Sequence, residues 1–311
     1  VRALITGAGG FVGPHLVDHL RRQGDVVVPV DVGNGPDLRD HRAWAALVRS
    51  ERPEVIFHLA GLSDVGASWH DPQATFEVNL MGTVSVLEAA RLAGTGRVVV
   101  ISSAEVYGVV ATDELPIVED HPLVPSSPYG ASKQAAEDVA RQYHRGHGLE
   151  TVIARPFNHI GPGQSTRFAA PAFADQIAAA ERRGGPATLR HGDLTPERDL
   201  TDVRDVVRAY RLLAESGRPG EVYNVCSGRS TSMATVLETL LELTGAAVTT
   251  ETDPARIRPV EVPVQRGSPA RLAATTGWRP TIDLRASLSG VLDDARRRHG
   301  VGLRAGTGPI G

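Results

Sequence analysis

Thr6-Gly7-Ala8-Gly9-Gly10-Phe11-Val12-Gly13 follows the apolar run Val1-Arg2-Ala3-Leu4-Ile5 and opens a helical stretch over residues 11–22. A glycine turn between strand and helix leaves bare backbone amides at the helix N-terminus, where unpaired N–H groups and the helix dipole favour a pyrophosphate. Gly7, Gly10 and Gly13 are the key positions, spaced G-x-x-G-x-x-G rather than G-x-G-x-x-G. The same glycines would equally serve a tight connection alone, so the reading depends on what surrounds them.

Downstream of the turn, short β-branched runs at 26–30, 55–59, 98–101 and 151–154 alternate with helical stretches at 74–92 and 131–144. The runs are apolar throughout rather than at every second residue, as strands covered on both faces are. Alternation of this kind builds βαβ units, so the expected fold is α/β, a Rossmann-type doubly wound parallel sheet. Past Pro156 the pattern breaks at Gly161-Pro162-Gly163-Gln164, and a helix over 168–182 ends at Gly184-Gly185-Pro186. These breaks mark a smaller C-terminal substrate-binding lobe. The helix 203–213 and the apolar strand ending at Cys226 are expected to rejoin the first sheet. The predicted division is 1–158 plus about 197–228 for the dinucleotide-binding domain and 159–196 plus 229–299 for the lobe, with a mobile tail at 300–311.

At 311 residues, with 41% hydrophobic and 22% charged residues, the chain has enough apolar surface for one large core and a smaller one. A net charge of -3 argues against a nucleic-acid surface, and the one tight basic run, Arg296-Arg297-Arg298, suits a helix C-terminus. No apolar run reaches membrane-spanning length, and the first strand begins at once without a signal-like segment, so a cytoplasmic protein is expected. The single cysteine, Cys226, lies in an apolar strand and cannot form an internal disulfide, which agrees with a reducing compartment. No metal site is expected: His15 and His19 have helical ligand spacing without a convergent third ligand, and His144 and His147 fall at a helix end.

Asp31 closes the second run. A carboxylate there accepts from adenosine ribose hydroxyls and repels a 2′-phosphate, favouring NADH over NADPH, although the neighbouring Asn34-Gly35-Pro36 would also suit a plain strand-end turn. Asp37 and Leu38 come next in line for the adenine amino group. Tyr129-Gly130-Ala131-Ser132-Lys133 begins a helix after Pro128, with Tyr129 and Lys133 on one face. An ammonium beside a phenol favours phenolate and draws the tyrosine pKa toward neutrality, making it a proton donor and acceptor. Taken alone, the pair would also fit an exposed, solvated helix. Ser102-Ser103-Ala104-Glu105 lies at the carboxyl end of the 98–101 run, where open α/β sheets bind ligands. Ser103 can hydrogen-bond a reacting oxygen there; a turn cap is the plainer use of such a serine.

Together the glycine turn, Ser103 and Tyr129-x-x-x-Lys133 resemble the extended short-chain dehydrogenase/reductase family, over nearly the whole chain. The resemblance implies Ser103 as carbonyl holder, Tyr129 as proton donor, and Lys133 as its pKa partner and cofactor-ribose ligand. It implies NAD(P)H as cofactor, held by Gly7, Gly10, Phe11, Val12, Gly13, Asp31, Asp37, Leu38, Leu59, Ala60 and Pro156 together with Tyr129 and Lys133. Asn79 matches a family asparagine that is structural as often as catalytic. A homodimer is implied as well, the helices carrying Asn79 and Tyr129 pairing as a four-helix bundle.

Within that family, the run from Arg155 through Asn158-His159-Ile160-Gly161-Pro162 to Gln164, the segment Arg198-Asp199-Leu200-Thr201-Asp202 and the Arg-rich stretch 253–259 resemble the GDP-4-dehydro-6-deoxy-D-mannose reductases. By that likeness Asn158, Arg198 and Arg258 hold a sugar-nucleotide diphosphate and Glu261 the nucleotide ribose. Arginine's planar, permanently charged fork suits the task, although Arg198 beside Asp199 and Asp202 would otherwise be a surface ion pair. His159 is either a nicotinamide or substrate contact or simply packed. The expected reaction is reduction of the C4 ketone of a GDP-linked sugar. Glu105 stands where related 4,6-dehydratases keep the base for the C5 proton, but Ala104 replaces their usual polar neighbour, so Glu105 is read as inherited or as a sugar-hydroxyl ligand. A 4-epimerase, and a cofactor-binding sensor without turnover, share these motifs and stay open.

Overall fold

The apolar runs of the first half become the strands of one parallel sheet. The computed structural model describes residues 1–256 and 262–301. Its first half contains β1 (Arg2–Thr6), α1 (Val12–Arg22), β2 (Val26–Val30), α2 (His41–Glu51), β3 (Val55–His58), α3 (Val65–His70), α4 (Pro72–Phe76), a π turn (Glu77–Met81), α5 (Gly82–Ala93), β4 (Arg97–Ile101), α6 (Pro128–His147) and β5 (Glu150–Pro156). The second half adds β6 (Asn158–Ile160), α7 (Ala169–Arg183), β7 (Ala187–His191), β8 (Glu197–Asp202), α8 (Val203–Ser216), β9 (Val222–Val225), β10 (Ser230–Ser232), α9 (Met233–Leu243), β11 (Val248–Thr252), β12 (Val264–Gln265), α10 (Ala270–Thr276) and α11 (Leu284–His299).

The main sheet runs β2-β1-β3-β4-β5-β9, with every pair parallel. β2 lies to one side of β1 and β3 to the other, so the crevice beyond the carboxyl ends of β1 and β3 is the switch point where such sheets bind ligands. β2 is an edge strand, which lets it carry Pro29 and leaves Val26 exposed.

Alternate side chains of the strands enter two separate cores. Ala3, Ile5, Phe57, Val99 and Val152 meet Leu16 and Leu20 of α1 and Val206, Tyr210 and Leu213 of α8. Leu4, Ile56, Val98, Val100 and Ile153 meet Trp44 and Val48 of α2, Val86, Leu87 and Ala90 of α5 and Ala140 of α6. Burial on both faces is why these strands read as unbroken apolar runs. A third core lies among α7, α9 and α11, built on Phe173, Ile177, Val236, Leu240, Leu288 and Leu292. Beside it β8 pairs with β6, β10 and β12, and β7 pairs with β11.

Two expectations change. The single helix expected over 74–92 is α4, the π turn and α5: Asp71 caps α4, Pro72 opens it, and the extra residue of the π turn follows where Asn79 is buried. Residues 229–299 also do not stay in one lobe. Leu272 of α10 and Trp278 pack in the core beneath α8, and Asp205 of α8 accepts hydrogen bonds from Thr281 and Ile282 that fix this return. Two large apolar side chains outweigh chain order here. Of the expected tail at 300–311, residues 302–311 lie outside the described residues.

Candidate active site

The glycine turn closes against the loop after β3. Gly7 has φ +71°, and a Cβ there would fall 2.7 Å from the Ala60 nitrogen; at Gly13 it would fall 2.3 Å from the Ala8 carbonyl oxygen. Neither position accepts a side chain, so backbone alone lines this part of the crevice, as a pyrophosphate cradle requires. α1 starts after Phe11 with no side-chain cap and no acid in its first turn, whereas Asp40, Ser127, Asp202, Ser232 and Asp283 cap α2, α6, α8, α9 and α11. The amide end of α1, at Phe11 and Val12, suits an anion. Leu59 and Ala60 run on from β3 beside the turn, and Ala60 N–H donates to Thr6 Oγ1 at 3.1 Å.

Asp31 follows β2 with one carboxylate oxygen on the Gly9 N–H at 2.5 Å and the other on the Val32 N–H. Asp37 is engaged by Arg39 in a two-point ion pair whose hydrogen bonds hold its carboxyl down at about 2. Leu38 packs beside Gly82 of α5, and Pro156 is buried at the end of β5.

The residues expected to transfer the proton gather at the carboxyl end of β4. Ser103 opens the single turn 104–107, its hydroxyl accepting the Glu105 N–H at 3.2 Å, and it lies within hydrogen-bond reach of the Tyr129 phenol. Tyr129 and Lys133 are buried on the inner face of α6, and Lys133 Nζ donates to the Ile101 carbonyl at 2.8 Å. Burial pushes Tyr129 up to about 12, against the Ser103 hydrogen bond and with the Glu105 carboxylate acting the same way. It pushes Lys133 down to about 8, against the pull of Glu137. The expected lowering of the phenol by its lysine is therefore not found in this arrangement: the ammonium is directed at a carbonyl, and desolvation is the larger effect. Lys133 is also the only lysine among 33 basic residues, a signal the spacing argument did not use.

Asn79 is structural. Its Oδ1 accepts the Leu62 N–H (2.7 Å) and its Nδ2 donates to the Leu62 carbonyl and to Ser132 Oγ (3.0 Å each), tying the loop after β3 to α6. His58, not anticipated from sequence, extends this chain. Thr83 Oγ1 gives its only proton to the Asn79 carbonyl (2.6 Å), so it accepts from His58 Nε2 (3.0 Å); His58 Nδ1 then accepts from Thr6 Oγ1 (2.8 Å). Burial and then the nearby Lys133 depress His58 to about 3, so it stays neutral and links β1, β3 and α5.

Asn158 and Arg198 lie on the neighbouring strands β6 and β8; the register Asn158↔Leu200 puts both on one face of the pair. Asn158 is exposed, and Arg198 Nη1 donates to the Val262 carbonyl at 2.7 Å. Asp199 points to the opposite face, buried, accepting from Ser227, Gly228 and Gly267, so it is not the surface partner the sequence allowed for Arg198. Arg258 and Glu261 lie outside the described residues. His159 is packed: its ring stacks on Phe11 (centroids 5.7 Å, 7° between planes) and Nδ1 donates to the Phe157 carbonyl. His15 bonds the Pro162 carbonyl and His144 the Leu149 carbonyl, and no cluster of three metal-ligating side chains occurs among the described residues. No described helix is long and apolar enough to cross a membrane.

Known proteins share this fold. Residues 3–226 match the NAD dependent epimerase/dehydratase family. The chain is 39% identical over 298 residues to the GDP-6-deoxy-D-mannose reductase of Pseudomonas aeruginosa, covering 96% of this chain and 98% of that one. Its fold matches the structure of RMD from Pseudomonas aeruginosa complexed with NADPH, at a TM-score of 0.88 and 36% identity, covering 96% and 99% of the two chains. It also matches the UDP-glucose 4-epimerase of Thermus thermophilus in complex with NAD, at 0.84 and 33% identity, covering 95% and 99%.

Proposed function

Because the chain belongs to the NAD dependent epimerase/dehydratase family, we propose that it reduces the C4 ketone of a GDP-4-dehydro-6-deoxy-hexose, using NAD(P)H, to a GDP-6-deoxyhexose such as GDP-D-rhamnose. The observation that carries this reading is near-full-length likeness to a GDP-6-deoxy-D-mannose reductase in a chain where Ser103 meets a buried Tyr129 at the end of β4. Bound NAD(P)H supplies the hydride. The Ser103 hydroxyl holds the ketone oxygen, and Tyr129 gives its proton to the alkoxide that develops there. To stabilise the phenolate left behind, the Lys133 ammonium, which is charged below about pH 8, has to turn from the Ile101 carbonyl toward Tyr129. Asn158, Arg198 and Arg258 hold the substrate diphosphate, and Glu261 the nucleotide ribose.

Asp31 supports NADH over NADPH, since its carboxylate sits against the glycine turn where a 2′-phosphate would meet like charge. Exposed Met81 and Leu92, on the π turn and α5, support the homodimer through the α5 and α6 helices. The specific observation on the side of a 4,6-dehydratase is Glu105, whose carboxylate acts on the Tyr129 phenol. Incubation with GDP-4-dehydro-6-deoxy-D-mannose and NADH or NADPH tests the reading. Loss of nicotinamide absorbance is expected; loss of water from GDP-mannose without added reductant would instead favour the dehydratase.

A further inference from the structure

Beneath the proton-transfer group lies a buried ion pair that the proposed reaction does not use. Glu137, one helical turn beyond Lys133 on α6, is fully buried, and Arg155 of β5 is 1% exposed. Arg155 donates from Nε (2.7 Å) and Nη2 (2.6 Å) to the two Glu137 oxygens. The same carboxylate accepts the Ser102 hydroxyl at 2.5 Å and Arg141 Nη2 at 3.1 Å. Arg155 is fixed in turn by the Tyr107 hydroxyl and the Glu119 carbonyl, both at 2.9 Å, and Tyr107 donates to Asn224. Glu137 is thus a rigid carboxylate joined to Ser102, the residue next to Ser103, and it stands on the helical face of Lys133.

We propose that Glu137 is a positioning residue for the proton-transfer site: through the Arg155 fork it places one fixed negative charge beside Lys133, keeping that lysine an ammonium at neutral pH, while Ser102 anchors the turn that presents Ser103. This rests on Tyr129 and Lys133 being the proton-transfer pair. A buried ammonium whose only hydrogen bond among the described residues is to a carbonyl loses its proton readily, and a nearby carboxylate is the group that opposes this. The titratable and charged groups on the surrounding elements are Tyr129, Glu137 and Arg141 on α6, His58 on β3, Glu105 on the turn after β4, and Arg155 on β5. Of these, His58 is held neutral, and Glu137 is the charge that raises Lys133.

Because Lys133 is the only lysine, one lysine-labelled NMR signal reads its titration in the intact protein without substrate. The wild-type signal is expected to titrate near pH 8. In Glu137→Gln the proton affinity of Lys133 should fall by about tenfold or more, one pKa unit, while Ser102→Ala, which leaves both charges, should keep the midpoint in place. Should Glu137→Gln leave Arg155 stranded and unfold, Glu137→Asp keeps the negative charge for Arg155 but draws the carboxylate back from Lys133, and is expected to lower the midpoint by a smaller amount. An unchanged midpoint in either folded variant, or a shift in Ser102→Ala as large as that in Glu137→Gln, would overturn the proposal. The titration needs no turnover, so its failure is separable from absence of ketone reduction in the wild type.

Discussion

At the scale of single residues, the proposed chemistry depends on two side chains whose burial acts in opposite directions. Tyr129 is held protonated far above neutrality, and Lys133 loses its proton near pH 8. Reduction needs a phenol to give a proton and an ammonium to stabilise the phenolate, and both are present only below about 8. The pH profile of kcat/KM should therefore fall on its basic side near pH 8, and a limb near 10.5 would show that Lys133 is not the group that matters. Replacing Tyr129 by Phe should lower kcat by about 10²–10⁴-fold while NAD(P)H still binds; full activity in that variant would remove Tyr129 as donor. The pair was legible from its spacing and its place after Pro128. The Glu137–Arg155 pair was not, because partners 18 residues apart on a helix and the following strand meet only once β5 lies under α6.

At the scale of elements, legibility follows regularity. Val26–Val30, Ala169–Arg183 and Val203–Ser216 can be read because apolar pattern and turn chemistry agree. β8 cannot: Glu197–Asp202 reads Glu-Arg-Asp-Leu-Thr-Asp, and Asp199 is buried only because amides from 28 to 68 residues away satisfy it. The π turn is hidden for a similar reason, since its partners Leu62 and Ser132 come from elsewhere in the chain. The glycine turn is the element most exposed to a single change. Gly7→Ala puts a Cβ against the Ala60 backbone at φ +71°, and should cost about 1–3 kcal/mol and weaken NAD(P)H binding tenfold or more. Thermal unfolding and cofactor titration measure both, and wild-type affinity in Gly7→Ala would show that the turn does not hold the cofactor.

On the scale of the whole molecule, the main sheet supplies the switch-point crevice, the proposed cofactor site, and the helices α7, α9 and α11 form a separate core behind β6 and β8, the strands proposed to meet substrate. Leu240 is fully buried in that core, so Leu240→Ala should cost about 2–5 kcal/mol in unfolding free energy. NAD(P)H affinity, which depends on the other cores, should change little; an equal loss of both would show that the cores are not independent. The account as a whole stands on one assay. Purified protein, GDP-4-dehydro-6-deoxy-D-mannose and NADH or NADPH should give stoichiometric loss of reduced nicotinamide and a GDP-6-deoxyhexose, faster with NADH. No nicotinamide oxidation with either cofactor, in protein that binds the cofactor and is folded, would contradict the account at its centre.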